Sequence, residues 1–119
     1  MKAVLVTGGR DYTQDLTVAR ELDAERPDLL IHGGASGADS LAARWAKTTF
    51  TPVALFPADW NRHGNFAGPK RNGQMVFLAR DLLEVGWDVL VLAFPGGRGT
   101  ASCISIAEQH GLTVRRVAP

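Results

Sequence analysis

The sequence predicts a Rossmann-like, three-layer α/β/α fold with a five-strand parallel sheet in the order 3-2-1-4-5, and three observations predict it. Short aliphatic and β-branched runs alternate with stretches of helical apolar spacing along the chain. Such alternation implies right-handed crossovers and a parallel sheet covered by helices on both faces. The run Val89-Leu90-Val91-Leu92-Ala93 is apolar without a break, as a central strand buried on both sides requires. Finally, of 13 glycines, ten (Gly8, Gly9, Gly33, Gly34, Gly37, Gly64, Gly68, Gly96, Gly97 and Gly99) fall beyond the ends of the first four strands.

The elements follow in order. Val4-Leu5-Val6 reads as the first strand, with a turn at Gly8-Gly9. Leu16, Val18, Ala19 and Leu22 mark a short helix that ends near Pro27, which cannot continue one. Leu29-Leu30-Ile31 is a second strand, running into His32-Gly33-Gly34-Ala35-Ser36-Gly37. Ala38, Leu41, Ala42, Trp45 and Ala46 share one helical face, with Trp45 expected in the core, and Ser36 with Asp39 resembles a capping box. Pro52 to Phe56 is a third strand, followed by a polar loop from Pro57 to Gly68. Pro69 suits the first residue of a helix whose stripe is Met75, Leu78, Ala79, Leu82 and Leu83 and whose stop is Gly86. After the fourth strand, Gly99 to His110 reads as the last helix and Thr113 to Val117 as the last strand.

At 119 residues the chain fits one domain, spanning residues 1–119. An apolar fraction of 45% and a charged fraction of 21% belong to a globular protein rather than a disordered one. No apolar run approaches the roughly 20 residues of a membrane helix, so no membrane association is expected. The run after Met1 is too short for a secretory leader and reads better as a buried strand. The single cysteine, Cys103, suits a reducing compartment, and a cytoplasmic location is expected. It reads as a packed thiol rather than a nucleophile, because no histidine stands near it in sequence. His32, His63 and His110 lack ligand spacing, so no metal is expected, and no cofactor either. A net charge of +1 gives no global attraction for nucleic acid.

In a parallel sheet the clustered glycines all line the carboxyl edge, and ligands bind there at the crevice where strand order reverses. The loops flanking that crevice are Gly8-Gly9-Arg10-Asp11 and Pro95-Gly96-Gly97-Arg98-Gly99-Thr100. Without a Cβ, such loops let backbone N–H groups approach an anion, and helices starting near Ser36, Pro69 and Gly99 add their positive ends. Arg10, Arg71 and, with less weight, Arg98 stand on this edge, where guanidinium can grip phosphate bidentately. Trp60 and His63 on the long loop are candidates to stack on a base or to cover the sheet edge. Neither glycine cluster is a complete Walker A or dinucleotide fingerprint, so neither a triphosphatase nor a dinucleotide dehydrogenase is inferred.

Five segments together resemble the SLOG superfamily, most closely its YspA-type, cpYpsA-related branch. They are Thr7-Gly8-Gly9-Arg10-Asp11-Tyr12, His32 to Asp39, Pro57-Ala58-Asp59-Trp60, Ala67-Gly68-Pro69-Lys70-Arg71-Asn72 with Met75, and Phe94 to Thr100. The resemblance implies a Rossmann-like fold for a nucleotide or nucleotide-derived ligand, sometimes as a sensor, and a homodimer for which helix faces carrying Trp45 or Leu82 are candidates. The phosphate-binding set it implies comprises Gly8, Gly9, Arg10, Asp11, Gly33, Gly34, Ser36, Gly37, Asp39, Lys70, Arg71, Asn72, Pro95, Gly96, Gly97, Gly99 and Thr100. Trp60 is the candidate stacking residue.

One branch, the "lonely guy" phosphoribohydrolases, cleaves the base from nucleoside monophosphates. Its Pro-Gly-Gly-x-Gly-Thr-x-x-Glu motif is matched by Pro95, Gly96, Gly97, Gly99 and Thr100, and its Arg-Lys-x-x-Met motif by Arg71 and Met75 with Asn72 for the lysine. In that branch the arginine and glutamate are catalytic, which would make Arg71 catalytic here. The glutamate position is Cys103, which offers no fixed negative charge to an oxocarbenium-like transition state. The single-strand-binding DNA-processing protein A is a third relative, disfavoured by the near-neutral charge and the lack of a basic-aromatic stripe. Binding or sensing of a nucleotide-type phosphate ligand is therefore the leading expectation, with Asp39 as helix cap or acceptor from a ribose hydroxyl. Monophosphate N-glycosidic hydrolysis comes second and single-stranded nucleic-acid binding third.

Overall fold

The computed structural model describes residues 1–119. Its strands are β1 (Lys2–Thr7), β2 (Leu29–His32), β3 (Val53–Leu55), β4 (Asp88–Ala93) and β5 (Thr113–Arg116). They form one sheet in the order β3-β2-β1-β4-β5, and every pairing is parallel. The helices are α1 (Asp15–Glu25), α2 (Ala38–Thr49), α3 (Trp60–His63), α4 (Ala67–Glu84) and α5 (Arg98–Gln109). No helix is long and apolar enough to cross a membrane.

Side-chain alternation along the central strands divides the core into two layers. Ala3 and Leu5 of β1, Ile31 of β2 and Val89 and Val91 of β4 face one side, packed with Met75, Val76 and Ala79 of α4 and Cys103 and Ala107 of α5. Val4 and Val6, Leu30, and Leu90 and Leu92 face the other, packed with Val18 and Leu22 of α1 and Ala38, Ala42 and Ala46 of α2. This double burial is why β1 and β4 are unbroken apolar runs.

Four local expectations are corrected. The stretch from Pro57 to Gly68 is not all loop: it holds α3, a 3-10 turn at Gly64–Phe66 and the start of α4. Asp59 starts α3 by accepting from the Arg62 N–H at 3.1 Å, a local cap that an apolar-periodicity argument does not register. Pro69 is the third rather than the first residue of α4, still within the turn whose N–H groups lack intrahelical partners. Ser36 and Asp39 make no capping box: the cap of α2 is Gly37, without a side-chain hydrogen bond, and the Asp39 carboxylate turns back to the loop before it. Trp45 is half-buried at the edge of the second core layer, with its indole N–H donating to Asp23 Oδ1 at 2.8 Å. Leu82 packs on the first core layer.

Candidate functional site

Strand order reverses between β1 and β4, because β2 and β3 extend the sheet one way from β1 and β5 the other way from β4. A cleft of about 580 Å³ opens at the carboxyl end of these two strands, within the roughly 300–1,000 Å³ typical of small-molecule sites. Five segments wall it. Thr7, Gly8, Gly9 and Arg10 come from the end of β1, Ala35 and Asp39 from the β2–α2 turn, and Trp60 from α3. Gly68, Pro69, Arg71, Asn72 and Met75 come from α4, and Gly97 to Thr100 with Ser102 from α5 and its approach.

Backbone bonds hold these loops against one another. The Gly9 N–H donates to the Pro95 carbonyl at 2.9 Å, and the Gly9 carbonyl accepts from the Ala38 N–H at 3.1 Å. Side chains would part them: a Cβ on Gly9 would lie 2.9 Å from the Pro95 oxygen, and one on Gly96 would meet Thr100 Oγ1 and the Gly9 nitrogen. Gly37 is required for a second reason. At φ 77° and ψ −126° it occupies backbone space essentially closed to other residues, and a Cβ there would run into the Gly9 carbonyl. Part of the glycine clustering thus serves loop-on-loop packing.

The remaining amides separate into two groups. In the β2–α2 turn three are engaged by the chain itself, those of Ser36 and Gly37 being unpartnered: Gly33 and Ala35 donate to Asp39 Oδ2 at 3.0 and 3.3 Å, and Gly34 donates to His32 Nδ1 at 3.0 Å. Gly33 and Gly34, expected among the anion donors, are therefore occupied. The amides of Gly96, Gly97, Arg98, Gly99 and Thr100 have no partner within the protein, the first bond of α5 being Ala101 N–H to the Gly97 carbonyl. Nothing lies within 4 Å of a Cβ placed on Gly97 or Gly99. Successive unpartnered N–H groups at a helix start form a concave positive surface for an anion.

Arg71 fastens three walls together. Its Nη1 donates to the Gly33 carbonyl at 2.7 Å and its Nε to Asn72 Oδ1 at 3.1 Å, while Asn72 Nδ2 donates to the Gly99 carbonyl at 3.3 Å. This relay joins the β2–α2 turn, α4 and the start of α5 and leaves Arg71 Nη2 without a protein partner. Arg10, by contrast, makes no hydrogen bond to the protein and lies 5.4 Å from the Trp60 ring centroid, a cation–π contact across the cleft mouth.

Asp39 is the one carboxylate among the lining residues and is 6% exposed. Burial pushes its carboxyl above the ordinary range, against the pull of the Ala35 and Gly33 N–H groups, His32 and Arg71. His32 is buried beside it, and burial lowers its pKa, so that it stands neutral with Nδ1 as acceptor. Cys103 is wholly buried in the core layer beneath α5, and burial raises its thiol to about 11, against a hydrogen bond with Thr7. The thiol is therefore protonated at neutral pH and stands outside the cleft lining.

The cleft gathers Gly8, Gly9, Arg10, Asp39, Trp60, Arg71, Asn72, Gly97, Gly99 and Thr100 of the expected residues, and Arg98 with them. Gly33, Gly34 and Ser36 line a shallower hollow of about 270 Å³ that shares Arg10, Ala35, Trp60 and Arg71 with it. Gly37 faces a third hollow with Arg10 and Arg44. Pro95 and Gly96 form the loop-packing contact. Asp11 and Lys70 are exposed and lie outside the cleft lining. Sequence reasoning placed Gly68 and Pro69 on this edge but did not single out Thr7, Ala35, Met75 or Ser102 as cleft walls. Only the last has a readable signal, since it stands one turn behind Arg98 on the same helix end.

Comparison with known proteins agrees with the fold. The family model described as YspA, cpYpsA-related SLOG family matches residues 2–63. The Gene 61 protein of Mycobacterium phage D29 is 41% identical over 127 aligned positions, covering 96% of this chain and 94% of the phage protein. The match extends through β1, the β2–α2 turn and α3, three of the five segments that wall the cleft. This chain belongs to the YspA, cpYpsA-related SLOG family.

Proposed function

We propose that this protein binds or senses a nucleotide or nucleotide-derived phosphate ligand in the β1–β4 cleft. The observation that carries the reading is the run of unpartnered amides from Gly96 to Thr100 at the start of α5. A phosphate held there accepts several N–H bonds at the positive end of a helix. Arg10 and Arg98, both lining the cleft, and the free Nη2 of Arg71 supply cationic charge around it. Trp60, about half exposed at the cleft mouth, offers an aromatic face for a base. Membership in a family of nucleotide-related ligand-binding folds adds weight.

Binding ranks above N-glycosidic hydrolysis because the position that would carry the carboxylate holds a protonated, enclosed thiol. The test is melting temperature against a panel of nucleoside mono-, di- and triphosphates and pyrophosphate. A binder present at about 100 times its Kd contributes about 2.7 kcal/mol of stability. The rise is expected in the wild type and is expected to shrink in Arg10→Ala, a variant that removes no protein hydrogen bond. Free base is expected to stay at background when the monophosphates are incubated with the protein. Absence of any thermal shift across the panel contradicts the reading.

A further inference from the structure

We propose that Asp39 is the specificity-determining residue of this cleft: its free oxygen accepts a hydrogen bond from a sugar hydroxyl, so that ribonucleotides are preferred over deoxyribonucleotides and bare phosphate. This rests on the nucleotide-binding reading above and adds to it which part of the ligand the β2–α2 side of the cleft recognises.

The case begins with the two carboxylate oxygens. Oδ2 is satisfied by the Gly33 and Ala35 N–H groups, and Oδ1 has no hydrogen bond within the protein. That oxygen is not sealed in. The sole enclosed side-chain nitrogen or oxygen without a partner is Arg80 Nε, and Asp39 is a wall of the cleft. A residue 94% buried thus presents one unpartnered acceptor to the ligand space.

Holding the β2–α2 turn does not account for a carboxylate. An asparagine Oδ1 accepts from the same two N–H groups without placing a charge in the interior, and burying charge is the costlier choice. Nor does phosphate binding account for it, since a carboxylate beside an anion repels it. What Asp39 offers that neither task needs is a second, charged acceptor, and its complement is a donor on the ligand.

The donor is placed by neighbours. Asp39 follows Ala38, whose N–H bonds the Gly9 carbonyl at 3.1 Å, while the Gly9 N–H bonds the Pro95 carbonyl at 2.9 Å, immediately before the free amides; Asp39 Oδ2 and Arg71 Nη1 meet at Gly33. Asp39 is therefore near the end of the cleft that carries the free amides of α5, while the aromatic face of Trp60 stands with Arg10 at the mouth. In a nucleotide the sugar adjoins the phosphate and the base lies beyond it. The group that meets Asp39 is then a ribose hydroxyl rather than the edge of the base.

The test is calorimetric titration with the adenosine, guanosine, cytidine and uridine 5′-monophosphates, their 2′-deoxy and 3′-deoxy counterparts, and pyrophosphate. In the wild type, loss of the recognised hydroxyl is expected to weaken binding by about tenfold or more, the size of a hydrogen bond to a charged group. In Asp39→Asn the ribonucleotide is expected to weaken relative to its deoxy counterpart by a similar factor, while the deoxy compound and pyrophosphate bind no more weakly than to the wild type. Equal wild-type affinity for ribo and both deoxy forms overturns the inference, and that comparison needs no variant to fold. So does an Asp39→Asn variant that weakens every probe alike. Failure of all nucleotides and of pyrophosphate to bind instead overturns the anion cradle, and this inference with it.

Discussion

Asp39 and Cys103 show how the same interior treats two ionisable groups. For both, burial is the largest cause of the shift and acts against ionisation. Cys103 meets no donor strong enough to reverse it and remains a neutral packing group. Asp39 has two backbone donors, His32 and Arg71 working the other way, yet its pKa remains raised. A carboxyl whose folded pKa exceeds its unfolded value binds the proton more tightly in the native state, so native stability declines as pH rises through that window. The difference in melting temperature between Asp39→Asn and wild type is accordingly expected to be positive near neutral pH and to shrink as pH falls into the ordinary carboxylate range, near 3.8. Paired thermal melts across that range check it, and a difference that grows on acidification contradicts the assignment. Stability surrendered at one position is the usual mark of a functional group. The sequence offered Asp39 as a ligand residue but not its surroundings: Ser36 and Asp39 stand at capping-box spacing, and only the fold shows that the carboxylate turns to Gly33 and Ala35 instead.

Among the elements, those with long apolar periods were legible and those built by local bonds were not. β1 and β4 announce themselves by unbroken apolar runs, and α4 by its stripe from Met75 to Leu82, although Leu83, expected on the same stripe, is exposed. α3 has four residues and no buried one, so no periodicity marks it, and its start depends on the single Asp59 cap. Glycine positions were legible as a set but not by role. Gly37 sits against the Gly9 carbonyl in glycine-only backbone space, whereas Gly73 lies inside α4 with nothing within 4 Å of an added Cβ. Opposite outcomes are expected on substitution by alanine. Gly37→Ala should destabilise by about 2 kcal/mol or more, through backbone strain and the collision. Gly73→Ala should stabilise by about 0.5–1 kcal/mol, the helix-propensity gain with no steric cost. Urea denaturation of the two variants measures both, and a destabilised Gly73→Ala would mean that this face of α4 is not open.

At the scale of the whole molecule, topology locates the cleft and hydrogen bonding decides its chemistry. The order 3-2-1-4-5 follows from strand–helix alternation, and with it the place where loops diverge between β1 and β4. Which loop amides remain free does not follow, because it depends on which way side chains and loops turn: Asp39 and His32 reach back to the amides of their own turn, and the Gly9 N–H bonds the distant Pro95 carbonyl. The first of these engage Gly33, Gly34 and Ala35, and the run from Gly96 to Thr100 is left available. The central claim is that this run receives the phosphate, and amide-resolved NMR tests it most directly. On titrating the ¹⁵N-labelled protein with the nucleotide that most raises its melting temperature, the largest shifts are expected at Gly96, Gly97, Arg98, Gly99 and Thr100, with Gly33 and Gly34 moving less. Shifts concentrated away from the start of α5, or none at saturating ligand, would contradict the account.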